Sequence, residues 1–159
     1  DSAANDIVVC AAGTLPAELH KLWRTAEPGG YHVEYGYSCM GYEIAGAMGV
    51  KLARPEAHVI AMVGDGSYLM LNSEIATSVM LKLKIIVVVL DNRGYGCIQR
   101  LQLATGSPRF NNLLEDCGTP LAIDFAAHAK SMGAGAVHVK DIAELTSAMR
   151  AARAAASGI

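Results

Sequence analysis

The sequence lacks any paired-cysteine pattern. Its four cysteines, Cys10, Cys39, Cys97 and Cys117, form no Cys-x-x-Cys pair and have no histidine at metal-ligand spacing. That excludes a zinc module and a disulfide framework, and leaves them as reduced core or loop residues. Long apolar runs are also missing: a stretch such as Ile85 to Leu90 is far short of the roughly 20 residues that cross a bilayer. The N-terminus has no basic, apolar leader. Charge of one sign is not in excess, and a net charge of −2 gives no electrostatic footprint for nucleic acid. There is no internal repeat, and the only biased segment is the Ala-rich tail, a good helix former. These absences point to a cytoplasmic protein with neither membrane nor nucleic-acid partner.

What is present is 52% hydrophobic residues in 159, enough for one domain with a buried core. Short apolar runs alternate with helical patterns, which predicts an α/β fold: a doubly wound, three-layer α/β/α domain on a mostly parallel sheet. The expected order is strand 6–12, helix 17–26 opened by Pro16, an extended segment 31–37, helix 38–53, strand 58–63, helix 72–82 capped by Asn72 and Ser73, strand 85–90, a long loop 103–119, helix 123–132, strand 136–140 and helix 143–156. Within 31–37, alternation puts His32 and Glu34 on one face, aimed either at a pocket or at satisfied partners. In helix 38–53, Gly41, Ala45 and Gly49 recur every four residues, a face suited to close packing. The loop 103–119 is long enough to serve as a lid as well as a connection. No sheet strand follows the last helix and the residues before Asp6 read as a join, so residues 1–159 are expected to be one domain of a longer chain.

Two stretches carry the chemistry. Val63-Gly64-Asp65-Gly66-Ser67 follows one predicted strand, and Leu90-Asp91-Asn92-Arg93-Gly94-Tyr95-Gly96 follows another. Gly64 and Gly66 suit a sharp turn and close approach to a ligand, and a helix opening there turns its amides toward an anion. Asp65 among phosphate-binding amides repels a phosphate unless a cation lies between them, and a hard ion such as Mg2+ accepts carboxylate, amide and carbonyl oxygens. Asp65 and Asn92 lie 27 residues apart, room for a helix and a return strand, so both reach the carboxyl ends of parallel strands. A Walker P-loop is excluded because no Gly-Lys-(Ser/Thr) occurs, and a dinucleotide fingerprint because Leu69 holds the third glycine position. A haloacid-dehalogenase-type phosphatase lacks its upstream Asp-x-Asp.

The pair resembles the signature of thiamin-diphosphate (ThDP) enzymes, Gly-Asp-Gly followed at this interval by Asn-Asn; here the second element reads Asp91-Asn92. The resemblance implies that Asp65, Asn92 and the Gly94 carbonyl hold Mg2+, and that Ser38, Gly64, Gly66, Ser67, Asn92, Tyr95 and Gly96 contact the cofactor. Met40 matches the family methionine that lies beneath the thiazolium ring and bends the cofactor; taken alone, a methionine at a helix start reads as core, and the metal motif downstream favours the cofactor role. The family's activating glutamate belongs to a pyrimidine-binding domain of the same or a neighbouring subunit, which implies a homo-oligomer and a catalytically silent isolated chain. Ile98 replaces the acid of the pyruvate-decarboxylase branch, as in the acetolactate-synthase branch. The wording of 31–56, 63–81 and 88–102 is similar to the branch that opens a cyclic polyol diketone in inositol catabolism, which implies hydrolysis of a C–C bond. A non-catalytic assembly module that keeps the cofactor fold is the alternative of another class.

Overall fold

The computed structural model describes residues 3–118 and 121–155. Strands β1 (Asp6–Cys10), β2 (Tyr31–Val33), β3 (His58–Gly64) and β4 (Ile86–Leu90) form one sheet in the order β2-β1-β3-β4. Every pairing is parallel, with Val8 beside both Tyr31 and Ile60, and Gly64 beside Leu90. The buried strand residues are mainly Val, Ile and Ala, as a sheet covered on both faces requires.

The two faces have separate cores. On one, Ile7, Val9, Val59, Ala61 and Val63 meet Ile44, Ala47 and Met48 of helix α2 (Tyr42–Ala53), Tyr68 of α3 (Asp65–Met70) and Ile75 of α4 (Glu74–Met80). Phe125, Ala129 and Met132, from α6 (Phe125–Ser131) and its end, pack against the same cluster. On the other, Val8 and Cys10 pack on Leu19 of α1 (Thr14–Leu22), and Ile60 and Ile86 on Ala152 of α7 (Ile142–Ala154). Helices therefore cover both faces of the sheet, the predicted doubly wound arrangement.

The differences from expectation are local. The helix predicted over 38–53 begins only at Tyr42, because Gly41 takes a left-handed conformation at φ 90° and ends the preceding loop. The helix predicted over 72–82 is shorter, α4 at Glu74–Met80, separated from the helix that opens at Asp65 by a break at Leu71–Ser73, and the Ser73 side chain makes no capping bond. Helix α5 (Gly96–Ala104) was not anticipated; its Ile98, Leu101 and Leu103 are exposed, Gln99 is the residue it buries, and polar contacts from Gln99 and Gln102 to Asn112 tie it down. The predicted strand 136–140 is not part of the sheet. Val137 there is 66% exposed, and a cavity of about 710 Å³ lies among β4, residues 134–139 and α7. Of the predicted small-residue face, Gly49 has nothing within 4 Å of its Cβ position, whereas Gly41 is packed against Met70 and Leu71. Thr119 and Ala156, the predicted ends of a loop and a helix, lie outside the described residues.

The last helix is tied to the first strand by an ion pair between Arg153 and Asp6, whose side chain is 0% exposed; the Ala3 amide also donates to this carboxylate at 2.7 Å. Removing one member of such a pair leaves a buried charge uncompensated. Arg153→Ala is therefore expected to lower unfolding free energy by about 3 kcal/mol, measured by urea titration, and Asp6→Asn combined with it should recover part of that loss.

Candidate functional site

Asp65 opens α3 directly after β3, at the carboxyl edge of the sheet, and is 4% exposed. Asn92 and Gly94 follow β4, the neighbouring parallel strand. The sequence-predicted metal residues are thus brought together. Asp65 Oδ2 accepts the Gly94 amide at 2.6 Å, which leaves Oδ1 facing the Asn92 side chain. With its nitrogen turned inward, Asn92 donates to the Gly94 carbonyl oxygen at 2.7 Å and to Asp65 Oδ1 at 3.2 Å. With its oxygen turned the same way, oxygens of three residues face one another without a proton between them, a donor set that suits a hard divalent cation. Burial pushes the Asp65 carboxyl above its ordinary range, the Gly94 amide opposes that shift, and the charge of Asp91 adds to it. A cation beside Oδ1 would relieve this penalty.

The turn that delivers these ligands is built locally. Asp91 Oδ1 accepts the Arg93 amide at 2.8 Å, an Asx-type turn that lets Arg93 and Gly94 take positive φ of 65° and 138°. An asparagine side-chain oxygen could make the same bond, so the Asp-for-Asn difference at residue 91 leaves the turn intact. Gly94 has a second reason to be glycine: a Cβ there would strike the Asn112 carbonyl oxygen and lie 2.9 Å from the Leu113 Cα.

Gly66 is needed for another approach. A Cβ on it would sit 2.6 Å from the Tyr95 ring and 3.6 Å from Met40 Cε, so Gly66, Tyr95 and Met40 converge. Gly64 has ordinary extended backbone and nothing within 4 Å of its Cβ position, so the sharp glycine turn expected there is not made. Gly96 places the Asn92 amide nitrogen 3.0 Å from its own Cβ position, which keeps that side chain over the turn. Met40 and Ser38 lie in the loop ahead of α2, not on the helix, with Ser38 at φ 55°. Glu34 shapes this loop, accepting the amides of Cys39 at 2.6 Å and Tyr37 at 3.1 Å; those bonds hold its carboxyl below the ordinary range. His32 Nε2 lies 2.6 Å from the Tyr42 hydroxyl. Both members of the predicted His32/Glu34 face have hydrogen-bond partners, and His32 also lines a shallow cavity with Tyr42, Gly46 and Gly49.

Ser67 is brought to the site by its backbone, but its hydroxyl is directed elsewhere. It is 3% exposed, donates to the Glu43 carboxylate at 2.8 Å and accepts the Gly41 amide at 2.7 Å. Glu43, 1% exposed, is not the family's activating glutamate, since it lies in the diphosphate-side domain, and no other role for it was read from the sequence.

Asn112 was missed as well; nothing around it in the sequence marks it. Its carbonyl accepts the Tyr95 amide at 2.7 Å, and its side chain donates to Gln99 at 3.1 Å and to Gln102. Leu113 bridges Gly94, and the Leu114 amide donates to the Arg93 carbonyl at 2.9 Å. The distal part of the long loop is thus strapped to the turn after β4. Of the polar residues after Asn92, Gln99 is buried, Arg100 bonds Thr14 Oγ1 at 2.6 Å, and Arg93 reaches the Leu121 carbonyl.

The family model described as thiamine pyrophosphate enzyme, C-terminal TPP binding domain, matches residues 11–158. The chain belongs to this family. ThDP, the cofactor expected from the motifs, is the one for which the domain is named. Over 151 residues the chain is 47% identical to 3D-(3,5/4)-trihydroxycyclohexane-1,2-dione hydrolase of Bacillus thuringiensis (strain Al Hakam), an alignment covering 90% of this chain and 23% of that protein. It is 46% identical, again over 151 residues, to the 3D-(3,5/4)-trihydroxycyclohexane-1,2-dione hydrolase of Bacillus anthracis, with the same coverage of 90% and 23%. The chain therefore spans about a quarter of the length of these curated relatives. A ThDP-dependent 4-hydroxybenzoylformate decarboxylase of Rhodococcus jostii RHA1 superposes with a TM-score of 0.88 at 21% identity, over 99% of this chain and 29% of that one, and shares the fold. Among the described residues no helix is long and apolar enough to cross a membrane.

Because Gly94 is closed in by backbone, Gly94→Ala should free the strap from the turn after β4. The expected result is a stability loss of about 2 kcal/mol and faster tryptic cleavage at Arg109; unchanged cleavage would remove the link between strap and turn.

Proposed function

We propose that this domain binds the diphosphate of ThDP through Mg2+ in an enzyme that hydrolyses a C–C bond of a cyclic polyol 1,2-diketone, opening 3D-(3,5/4)-trihydroxycyclohexane-1,2-dione to 5-deoxy-glucuronate in inositol catabolism. The observation that carries the reading is the meeting of Asp65, Asn92 and Gly94 oxygens at adjacent strand ends, in a chain 47% identical over most of its length to hydrolases with that name. Asp65, Asn92 and the Gly94 carbonyl hold the metal. The amides of Gly66 and Ser67 face the diphosphate, and the open space over Gly64 admits it. Met40 and Tyr95 form an apolar shelf beside Gly66 for the thiazolium end, with Ser38 and Gly96 at its margins.

Bound ThDP supplies a nucleophilic carbon and an electron sink for breaking the bond between two carbonyls. This chain's residues hold and orient that group. The activating glutamate is assigned to a pyrimidine-binding domain of the same or a neighbouring subunit in a homo-oligomeric, cytoplasmic enzyme. Support for the ring-opening substrate is similarity to the Bacillus hydrolases.

Calorimetric titration of the full-length enzyme with ThDP tests the cofactor site. Binding should require Mg2+, vanish in Asp65→Ala and persist in Asp91→Asn, which keeps the oxygen that accepts the Arg93 amide. Equal affinity in chelator and in Mg2+ would refute the metal assignment.

Met40 gives a second test. In the full-length enzyme Met40→Ala should reduce turnover by a larger factor than it weakens ThDP affinity, and Met40→Leu, of similar bulk, should be tolerated better. If Met40→Ala instead costs about 2 to 5 kcal/mol of stability with turnover per folded molecule retained, the residue is core and not cofactor support.

A further inference from the structure

Glu43 is the most thoroughly buried carboxylate named in the site region, at 1% exposure, and its hydrogen-bond donors are the Ser67 hydroxyl and the Gly41 amide rather than a cation. Ser67 Oγ lies 2.8 Å from both carboxylate oxygens. The Gly41 amide is shared, 2.7 Å from Ser67 Oγ and 3.1 Å from Glu43 Oε2. Burying a carboxylate is costly unless its oxygens are satisfied. Here the position in the first turn of α2 adds the favourable end of the helix dipole. Burial nevertheless pushes the Glu43 carboxyl up, with its own backbone amide, the Ser67 hydroxyl and the Gly41 amide pulling the other way.

We infer that Glu43 is a positioning residue for the cofactor site, acting through Ser67 and the Gly41 amide to fix the Met40–Gly41 peptide against the first turn of α3. The inference rests on the proposed ThDP function. The geometry gives it a direct route. The Gly41 nitrogen belongs to the peptide that begins at the Met40 carbonyl, so holding that amide sets the plane from which Met40 projects. The hydroxyl that holds it belongs to the residue after Gly66, and Met40 Cε reaches to 3.6 Å from the Gly66 Cβ position. On the other side Gly41 is closed in by Leu71 and Met70, whose Cβ atoms lie 3.2 and 3.4 Å from where its own Cβ would be. The peptide is thereby gripped by α3 from both ends of that helix. Ser67, turned inward by Glu43, offers the cofactor its backbone amide and not its hydroxyl. A carboxylate suits the place because both of its oxygens accept; a carboxamide keeps one acceptor and turns a donor toward the others.

Three variants of the full-length enzyme test this, each followed by thermal unfolding, ThDP titration with Mg2+, turnover, and hydrogen exchange of the Gly41 amide in cofactor-free protein. Glu43→Met removes the buried charge at similar bulk, so folding should be kept or improved. Even so, Gly41 exchange should accelerate and ThDP affinity weaken by about tenfold, the scale of one lost hydrogen bond to a charged group, with a larger fall in turnover. Ser67→Ala should do the same, and Glu43→Gln, keeping one acceptor for the Ser67 hydroxyl, should restore affinity to within about threefold of the wild type. Glu43→Met with wild-type exchange, affinity and turnover would overturn the inference alone. A wild-type enzyme that binds no ThDP would overturn the proposed function itself, and Gly41 exchange would still report whether the Glu43–Ser67 grip exists.

Discussion

A carboxylate at the carboxyl end of a central strand, held away from water, constrains everything near it. Asp65 continues β3, which pairs with β1 on one side and β4 on the other, so its backbone cannot move without disturbing the sheet. Its two oxygens then have separate duties. Oδ2 takes the Gly94 amide and thereby fixes the turn after β4, and Oδ1 faces the Asn92 side chain. The cost of burying this charge is met in part by that amide. The remainder defines a place where a cation is favoured.

From this point two further loops are drawn in by polar contacts rather than by apolar packing. Ser67, in the same helical turn as Asp65, holds the loop that carries Met40, and the Gly94–Tyr95 turn holds Leu113 and Asn112. Three segments distant in sequence meet over the strand ends, where parallel sheets of this kind bind ligands. The apolar cores lie beneath and are independent of these details; they set the sheet, and the sheet sets where Asp65 and Asn92 emerge.

The strands that read as continuous apolar runs, β1, β3 and β4, were legible because burial on both faces removes any need for polar alternation. The meeting of Asp65, Asn92 and Gly94 followed from their place after two such runs. Residues 136–140 look equally strand-like, but strand formation needs a partner ladder, and none forms there. Helix α5 escaped detection for the opposite reason: it is positioned by Tyr95, Gln99 and Asn112, and polar contacts across a loop leave no periodic trace. Glu43 and Asn112 were invisible on the same grounds, since their importance comes from partners 24 and 13 residues away. The left-handed Gly41, which moved the start of α2 by four residues relative to expectation, had only a glycine within a glycine-rich stretch to announce it.

The strap formed by Asn112 to Leu114 divides the long loop into parts with different freedom. Its far end is pinned to the turn after β4 by backbone bonds, and its near end is continuous with α5, while residues 105–110 between them are exposed. Insertions or exchanges in that exposed span would leave the pinned end in register with Gly94 and Tyr95. The architecture thus separates a span of loop free to vary in length and composition from a span whose backbone is committed to the turn after β4.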